Sequence, residues 1–274
     1  MRYGPLISIG RTAEVYALPD GKILKLFHPW CPLEWIEGEA RNAAYAYSVH
    51  IRSPRCHGLV QAEDRNGIVY DRIYGKTMLR LMMSAPWTIR NYSGLLARLH
   101  LGIHEVDGAT LPSLKKYLSD SVAASDILDE DRKRRIGAIL STLEDGASLC
   151  HFDFHPDQVI ITEEGPYIID WMTAFKGNPL ADVARTSILY GFGYPPDTHM
   201  LMKPLIDLVR NRIVAEYRKA YRAKKGADID REIKRWSIPV AAARLRENIP
   251  GMNDYLLGYI DRSLDEVGED YASA

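Results

Sequence analysis

The stretch His151-Phe152-Asp153-Phe154-His155-Pro156-Asp157-Gln158 holds an Asp between two histidines and an amide side chain five residues after that Asp. Two apolar runs come next, Val159-Ile160-Ile161 and Tyr167-Ile168-Ile169, and the second ends in Asp170. Asp153 is placed to accept a proton from an incoming hydroxyl. Asp170 and Gln158 supply carboxylate and amide oxygens, the hard donors that Mg²⁺ accepts. A general base beside a divalent-cation site suits ATP-dependent phosphoryl transfer.

The elements around these residues must bring them together. The two apolar runs flank Glu163-Glu164-Gly165-Pro166, which is turn material, so they read as an antiparallel hairpin. In the simplest register Thr162 faces Pro166, Ile160 faces Ile168 and Gln158 faces Asp170. Gln158 and Asp170 then meet at the open end, and Asp153 sits in the loop that feeds it.

Upstream, residues 6–9, 13–18 and 23–27 read as strands. Pro19-Asp20-Gly21 is a turn that places Lys25 near Val15. Leu33 to Val49 reads as a helix, with Trp35, Ile36, Ala40, Ala43, Ala44 and Tyr47 at helical spacing. Two further strands, 58–62 and 67–70, precede a connector at Asp71-Arg72-Ile73-Tyr74-Gly75. Beyond it the pattern is helical at 77–83, 88–104, 113–121, 129–144, 182–190, 199–223, 230–246 and 252–266, with the hairpin as the one β interruption. The composition shifts near Gly75, which divides the chain into a β-rich segment, residues 1–74, and a mainly helical one, residues 75–274.

The bulk properties exclude several classes. The chain has 274 residues, with 46% hydrophobic and 26% charged, the mix of a globular protein. With 35 basic and 36 acidic side chains its net charge is −1, which gives no electrostatic case for a nucleic-acid or membrane partner. Cys31, Cys56 and Cys150 are odd in number and form no CxxC pair, which fits a reducing cytoplasm. No apolar run approaches the roughly 18 residues of a membrane span, and the first residues lack the apolar stretch of a signal peptide. The basic runs at 132–135 and 218–225 read as solvated helix faces.

The stretch from His151 resembles the catalytic loop of the aminoglycoside phosphotransferase family of small-molecule kinases, whose pattern is His-x-Asp-x-His-x-x-Asn, a β hairpin and Ile-Asp-Trp. Here it reads His151-x-Asp153-x-His155-x-x-Gln158, then Ile169-Asp170-Trp171. The resemblance implies an α+β, two-lobed protein-kinase-like fold: a small N-terminal antiparallel β lobe, a larger mainly helical C-terminal lobe, and nucleotide between them. It implies ATP or GTP and Mg²⁺ as cofactors, Asp153 as catalytic base, Asp170 and Gln158 as metal ligands, and Asp182 as a structural brace for the loop. Ser8-x-Gly10-x-x-Ala13-x-Val15 resembles the phosphate-covering loop, with Gly10 its surviving middle glycine. Lys25 takes the place of the lysine on the α- and β-phosphates and needs a partner if buried. Glu39 is the expected partner and Glu37 the rival. Val69 to Gly75 resembles the hinge, with Tyr70 as gatekeeper and adenine met by the Asp71 carbonyl and the Ile73 amide.

The family has Asn where this chain has Gln158. A stem one methylene longer shifts, weakens or removes a second metal site. A second reading therefore stands beside the kinase: a catalytically weak, kinase-like protein that binds nucleotide or a partner. A third takes His151, Asp153 and His155 as zinc ligands on one strand face, which leaves Lys25 and Asp170-Trp171 without a role. The acceptor is a small-molecule hydroxyl. Helices from about residue 199 onward carry the acceptor site in this family, and here they offer Arg210, Arg212, Glu216, Tyr217, Arg244, Arg246, Glu247 and Asn248 without a recognisable pattern. The only dense acidic cluster, Asp261, Asp265, Glu266, Glu269 and Asp270, reads as a solvated end, so nothing favours a polycationic antibiotic over another metabolite. The oligomeric state is open.

Overall fold

The computed structural model describes residues 3–108, 110–191, 199–226, 229–247, 249 and 251–272. In chain order the elements are β1 (Leu6–Ile9), β2 (Ala13–Leu18), β3 (Lys22–Phe27), α1 (Leu33–Ser48), β4 (Cys56–Ala62), β5 (Arg65–Asp71), β6 (Lys76–Thr77), α2 (Met78–Ser84), α3 (Ile89–His104), α4 (Leu114–Ala123) and α5 (Glu130–Thr142). They continue with β7 (Ser148–Cys150), β8 (Val159–Thr162), β9 (Gly165–Ile168), β10 (Phe175–Gly177), α6 (Pro179–Gly191), α7 (Lys203–Lys225), α8 (Ile229–Arg244) and α9 (Asn253–Ala272). The chain forms two compact units, one of residues 1–85 with 156–174, the other of residues 86–155 with 175–274.

In the first unit a five-stranded antiparallel sheet runs β1-β2-β3-β5-β4. The β2–β3 hairpin turns through Asp20 (φ 59°) and Gly21 (φ 66°), and Val15 pairs with Lys25 as the turn residues require. Glu63 and Asp64, both left-handed, close β4 onto β5 in the same way. Leu24, Leu26, Ala62 and Val69 form the apolar core on one face. On α1 the buried residues are Ile36, Glu39, Asn42, Ala43 and Ala46, while Trp35 and Tyr47 are exposed. Apolar spacing alone misplaces this face, because two of its buried positions are polar and are hydrogen-bonded to partners distant in sequence.

The same unit holds the hairpin β8–β9, with β6 added at its edge. Gly75 precedes β6 where a Cβ would overlap the backbone of Ile161, so the composition shift near this residue coincides with a close chain approach. The hairpin register differs by one from the simplest reading: Thr162 pairs with Gly165, Ile160 with Tyr167 and Val159 with Ile168. The Thr162 hydroxyl accepts from the Glu164 amide and donates to the Gly165 carbonyl, and Gly165 takes a φ of 123°. These contacts close the turn one residue earlier than Pro166 would.

The second unit is helical around α8, which is buried on all sides from Trp236 to Arg244 and packs on α4, α5, α6 and α9. Helix α3 packs along α7. Ser113 and Asp129 cap α4 and α5 by accepting the amides of Lys116 and Arg132. A two-stranded sheet of β7 and β10, three residues each, is a second β interruption that periodicity over so short a run does not reveal.

The charge runs lie on solvated helix faces, as read, and carry surface ion pairs. Asp261 takes Arg132 in a bidentate pair at 2.8 Å, Arg135 reaches Asp265 at 2.9 Å, and Lys234 pairs with Glu266, so these three acidic residues tie α9 to α5 and α8. Arg218 and Arg222 both reach Asp230 at 2.7 Å. No helix among the described residues is long and apolar enough to cross a membrane.

Candidate functional site

Lys25 emerges from the middle of β3 with its side chain 13% exposed. Its Nζ lies 2.6 Å from Glu39 Oε1 on α1 and 3.0 Å from Asp170 Oδ1 just past β9. Burial by itself would lower its pKa, but Asp170 and Glu39 together hold it above the usual lysine value, so it is a fixed cation. Glu39 is 1% exposed, and its Oε1 also accepts from the Tyr70 hydroxyl at 3.1 Å. Burial raises the Tyr70 phenol well above its ordinary pKa, which keeps it a donor at every physiological pH. Glu37, the rival partner, is only partly buried; Glu39 makes the pair.

Asp170 is held from several directions. Its backbone is left-handed, φ 66°, a conformation that costs a non-glycine residue energy and recurs at functional sites. The Ile169 amide donates to the Gln158 carbonyl at 3.0 Å, and Gln158 Nε2 donates to Asp170 Oδ2 at 3.3 Å. The register shift therefore sets Gln158 against Ile169, yet the Gln158 and Asp170 side chains still touch. Trp171 anchors the chain just beyond Asp170: its Nε1 donates to Ser53 Oγ at 3.0 Å and its carbonyl accepts from buried Asn42 at 3.0 Å. Asn42 is a residue that sequence reasoning misses; its one signal is a polar side chain on the same face of α1 as Glu39.

Elsewhere in this unit Gly10 lies in the β1–β2 turn, exposed, with its amide donating to the Ala13 carbonyl at 2.8 Å. At the end of β5 the Asp71 amide donates to the Arg55 carbonyl and the Arg72 amide to the Gly21 carbonyl. The Ile73 amide makes no backbone hydrogen bond among the described residues.

The second unit carries Asp153. The loop before it is built on Asp182 of α6, which is fully buried: Oδ2 accepts the His151 amide at 2.6 Å and Oδ1 the Phe152 amide at 3.0 Å. Phe152 is left-handed at φ 59°, a second strained non-glycine position in the chemistry-bearing loops. His100 and His104, one turn apart on α3, bring Nε2 to the same Asp182 oxygen at 3.0 and 3.3 Å. The His104 contact is a hydrogen bond, whereas His100 Nε2 is close but poorly aligned for one. Their Nδ1 atoms meet the Tyr217 and Tyr221 hydroxyls of α7 at 2.6 and 2.8 Å. Burial would raise the Asp182 carboxyl, but His100 and His104 hold it well below the usual range. These imidazole and carboxylate atoms are the one group among the described residues spaced for a metal ion, but the carboxylate is already taken up by the loop amides and His104.

Asp153 has Arg185 NH2 at 3.7 Å and His155 Nε2 at 3.8 Å. Arg185 stands three residues after Asp182 on the same face of α6, a spacing readable in sequence that by itself assigns no role. His151, Asp153 and His155 do not converge as a zinc site: the His151 ring faces its own loop, with Nδ1 accepting the Asp153 amide at 3.3 Å. Of the acceptor-side residues, Tyr217 is committed to His100 and Glu247 to Arg185, and Asn248 lies outside the described residues. An open cleft of about 730 Å³ among α6, α7, α8 and α9 is lined by Ser187, Asn211, Arg218, Asp230, Lys234 and Tyr255.

The profile of a phosphotransferase enzyme family matches residues 5–224. No curated protein matches the sequence. Among solved structures, the apo form of a thermostable mutant of the aminoglycoside phosphotransferase APH(4)-Ia superposes with a TM-score of 0.68 at 13% identity, covering 96% of this chain and 95% of that one. An aminoglycoside-3'-phosphotransferase of type VIII gives 0.62 at 19%, covering 89% and 94%. A choline/ethanolamine kinase family protein from Mesorhizobium loti gives 0.57 at 17%, covering 96% and 86%. The likeness is one of fold, the α+β fold of kinase-like phosphotransferases.

Proposed function

The chain belongs to the phosphotransferase enzyme family, and we propose that it transfers the γ-phosphoryl group of ATP or GTP to a hydroxyl of a small molecule. The observation that carries this is Lys25, a buried cation held by two carboxylates, Glu39 and Asp170, that lie far from it in sequence. A buried charge is costly unless paired, and a permanent cation aimed at Asp170 suits phosphate oxygens. Glu39 orients Lys25, Gly10 lets backbone amides approach the phosphates, and adenine meets the Asp71 carbonyl and the Ile73 amide. Asp153 orients and deprotonates the acceptor, an effect worth about 10²- to 10⁴-fold in rate.

The reading requires Mg²⁺, and the residues fit it. Asp170 is one-third exposed, and Gln158 reaches its Oδ2 through Nε2 at 3.3 Å, so a turn of the amide about its last bond would set Oε1 beside the carboxylate, the oxygen donor set of a hard cation. Asp170 and Gln158 would hold the ion, which when bound neutralises charge on the phosphate oxygens. Gln158→Ala is expected to lower turnover about tenfold or more by removing one oxygen ligand. Isothermal titration of Mg²⁺ into the nucleotide complex, run beside the turnover assay, checks it; unchanged metal affinity and turnover remove Gln158 as a ligand.

The acceptor is a small-molecule hydroxyl, that of a sugar, an amino alcohol or a nucleoside. The open helical cleft is lined by Arg218, Arg231 and Lys234 with Asp230 as its one carboxylate, already paired with Arg218, a lining that does not favour a polycation. The assigning experiment is a phosphorylation screen of sugars, amino alcohols, nucleosides and aminoglycosides with γ-labelled ATP and GTP, with Lys25→Met as control. Label moves to at least one acceptor, and Lys25→Met lowers that transfer by about 10²-fold or more, the scale of one preorganised charge. Nucleotide binding without transfer to any acceptor would favour the catalytically weak nucleotide-binding reading, which the Gln158 departure motivates.

A further inference from the structure

Arg185 is a buried guanidinium between two carboxylates and one aromatic ring. Its NH2 lies 2.5 Å from Glu247 Oε1 and 3.7 Å from Asp153 Oδ1, its Nε donates to the Phe152 carbonyl at 3.2 Å, and its Cζ sits 5.4 Å from the Phe152 ring centroid. The side chain is 7% exposed, against 29% for Asp153 and 18% for Glu247. Every anchor of Arg185 except Glu247 belongs to the loop that carries Asp153. A guanidinium needed only to fix α6 would have no reason to place its remaining contacts on Asp153 and on strained Phe152.

We propose that Arg185 is a positioning residue for the Asp153 carboxylate, and that Glu247 sets how much of the Arg185 charge reaches it. The inference rests on Asp153 being the base. At 3.7 Å the pair is longer than a hydrogen bond, so Arg185 holds the carboxylate by charge without occupying its lone pairs, and these stay open to an acceptor hydroxyl. Glu247 draws the guanidinium the other way at 2.5 Å. Without it the Arg185 charge would fall more fully on Asp153 and make it a weaker base. Burial would lower the Arg185 pKa, but Glu247 and Asp153 together hold it above its ordinary value, so its charge is constant across the working range. The other groups near this cluster are His155, at 3.8 Å from Asp153, and Tyr117 of α4, whose phenol acts electrostatically on Arg185.

The test follows the Asp153 carboxyl itself, in full-length protein labelled with carboxyl-¹³C aspartate. The Asp153 signal is the one that Asp153→Asn removes. Arg185→Gln and Glu247→Gln move the pH response of that signal in opposite directions, the first toward higher pH and the second toward lower. Arg185→Lys restores most of the shift. Opposite movements from two neighbouring variants are not what loss of a structural strut produces. The acid limb of kcat/KM for phosphoryl transfer moves in the same two directions. If Arg185→Gln fails to fold, Glu247→Gln alone decides, and an Asp153 response that stays put or moves toward higher pH overturns the proposal. Failure of the base assignment shows separately, as turnover retained by Asp153→Ala.

Discussion

Asp153→Ala leaves nucleotide affinity within about twofold of the parent and lowers phosphoryl transfer by about 10²- to 10⁴-fold, the range that a positioned general base supplies. The separation comes from where the residues stand. Lys25, Glu39 and Asp170, the groups assigned to phosphate and metal, belong to one compact unit, and Asp153 to the other. Removing Asp153 leaves the Lys25 pairs at 2.6 and 3.0 Å intact. It also leaves the hydrogen bonds of Asp182 to the His151 and Phe152 amides, so the loop keeps its path. Nucleotide titration calorimetry and steady-state kinetics on the same preparation measure both quantities. Retained turnover would take the base role from Asp153. A parallel collapse of nucleotide affinity would mean that Asp153 also serves phosphate or metal. Asp153→Asn sharpens the result, because an amide of the same shape cannot accept the proton and its rate should fall as far.

How much of the fold is legible in the sequence depends on the range of the contacts. The β2–β3 hairpin is local: a turn through Asp20 and Gly21 fixes which residue opposes Lys25, and Val15 is that residue in both reading and structure. The β8–β9 hairpin is equally local but carries Glu163 and Glu164 in its turn, where no residue type dictates the closure. The Thr162 hydroxyl decides it, and the register moves by one. The Gln158–Asp170 contact survives, because a long amide side chain spans the offset.

Helix α1 shows the opposite case. Periodicity marks Trp35 and Tyr47 as inward, yet they are exposed, while Glu39 and Asn42 are buried. Their partners, Lys25, Tyr70 and the Trp171 carbonyl, come from distant strands and loops that a periodic pattern does not encode. Arg185 is hidden for the same reason. Its meaning depends on Glu247, 62 residues away. The acidic end of the chain reads as solvated because its partners, Arg132 and Arg135, lie about 130 residues upstream.

Asp182→Asn destabilises the protein by about 3 kcal/mol, because the new amide turns an N–H toward donors and leaves at least one buried donor unpaired at about 1–3 kcal/mol each. The carboxylate gathers two backbone amides and the Nε2 edges of two imidazoles with no exposed surface. With Nε2–H of each ring on the Asp182 side, each Nδ1 is left to accept from a tyrosine hydroxyl, and the His104 Nε2–H and the two loop amides donate to the carboxylate. Reversing one donor breaks that match. Urea denaturation at neutral pH measures the loss, and an unchanged midpoint would overturn the brace. The pH dependence has a definite sign. His104, buried, is held down to about 4 from 6.5, chiefly by desolvation and then by His100. It is neutral when folded and takes up its proton more readily when unfolded. Its contribution to stability is therefore complete above about 6.5 and is lost as the pH falls from there through 4. Asp182, also depressed, contributes above its unfolded value of 3.8 and loses that contribution at still lower pH. The two effects act one after the other as acid is added, so the parent protein should begin to lose stability well above the range in which ordinary carboxylates titrate. His104→Gln should flatten the limb between pH 6.5 and 4 while leaving the limb below 4 in place, since the amide can still donate to Asp182 but cannot gain a proton. A parent stability that stays level down to pH 4, or a His104→Gln profile that matches the parent, would remove His104 as the source of that limb.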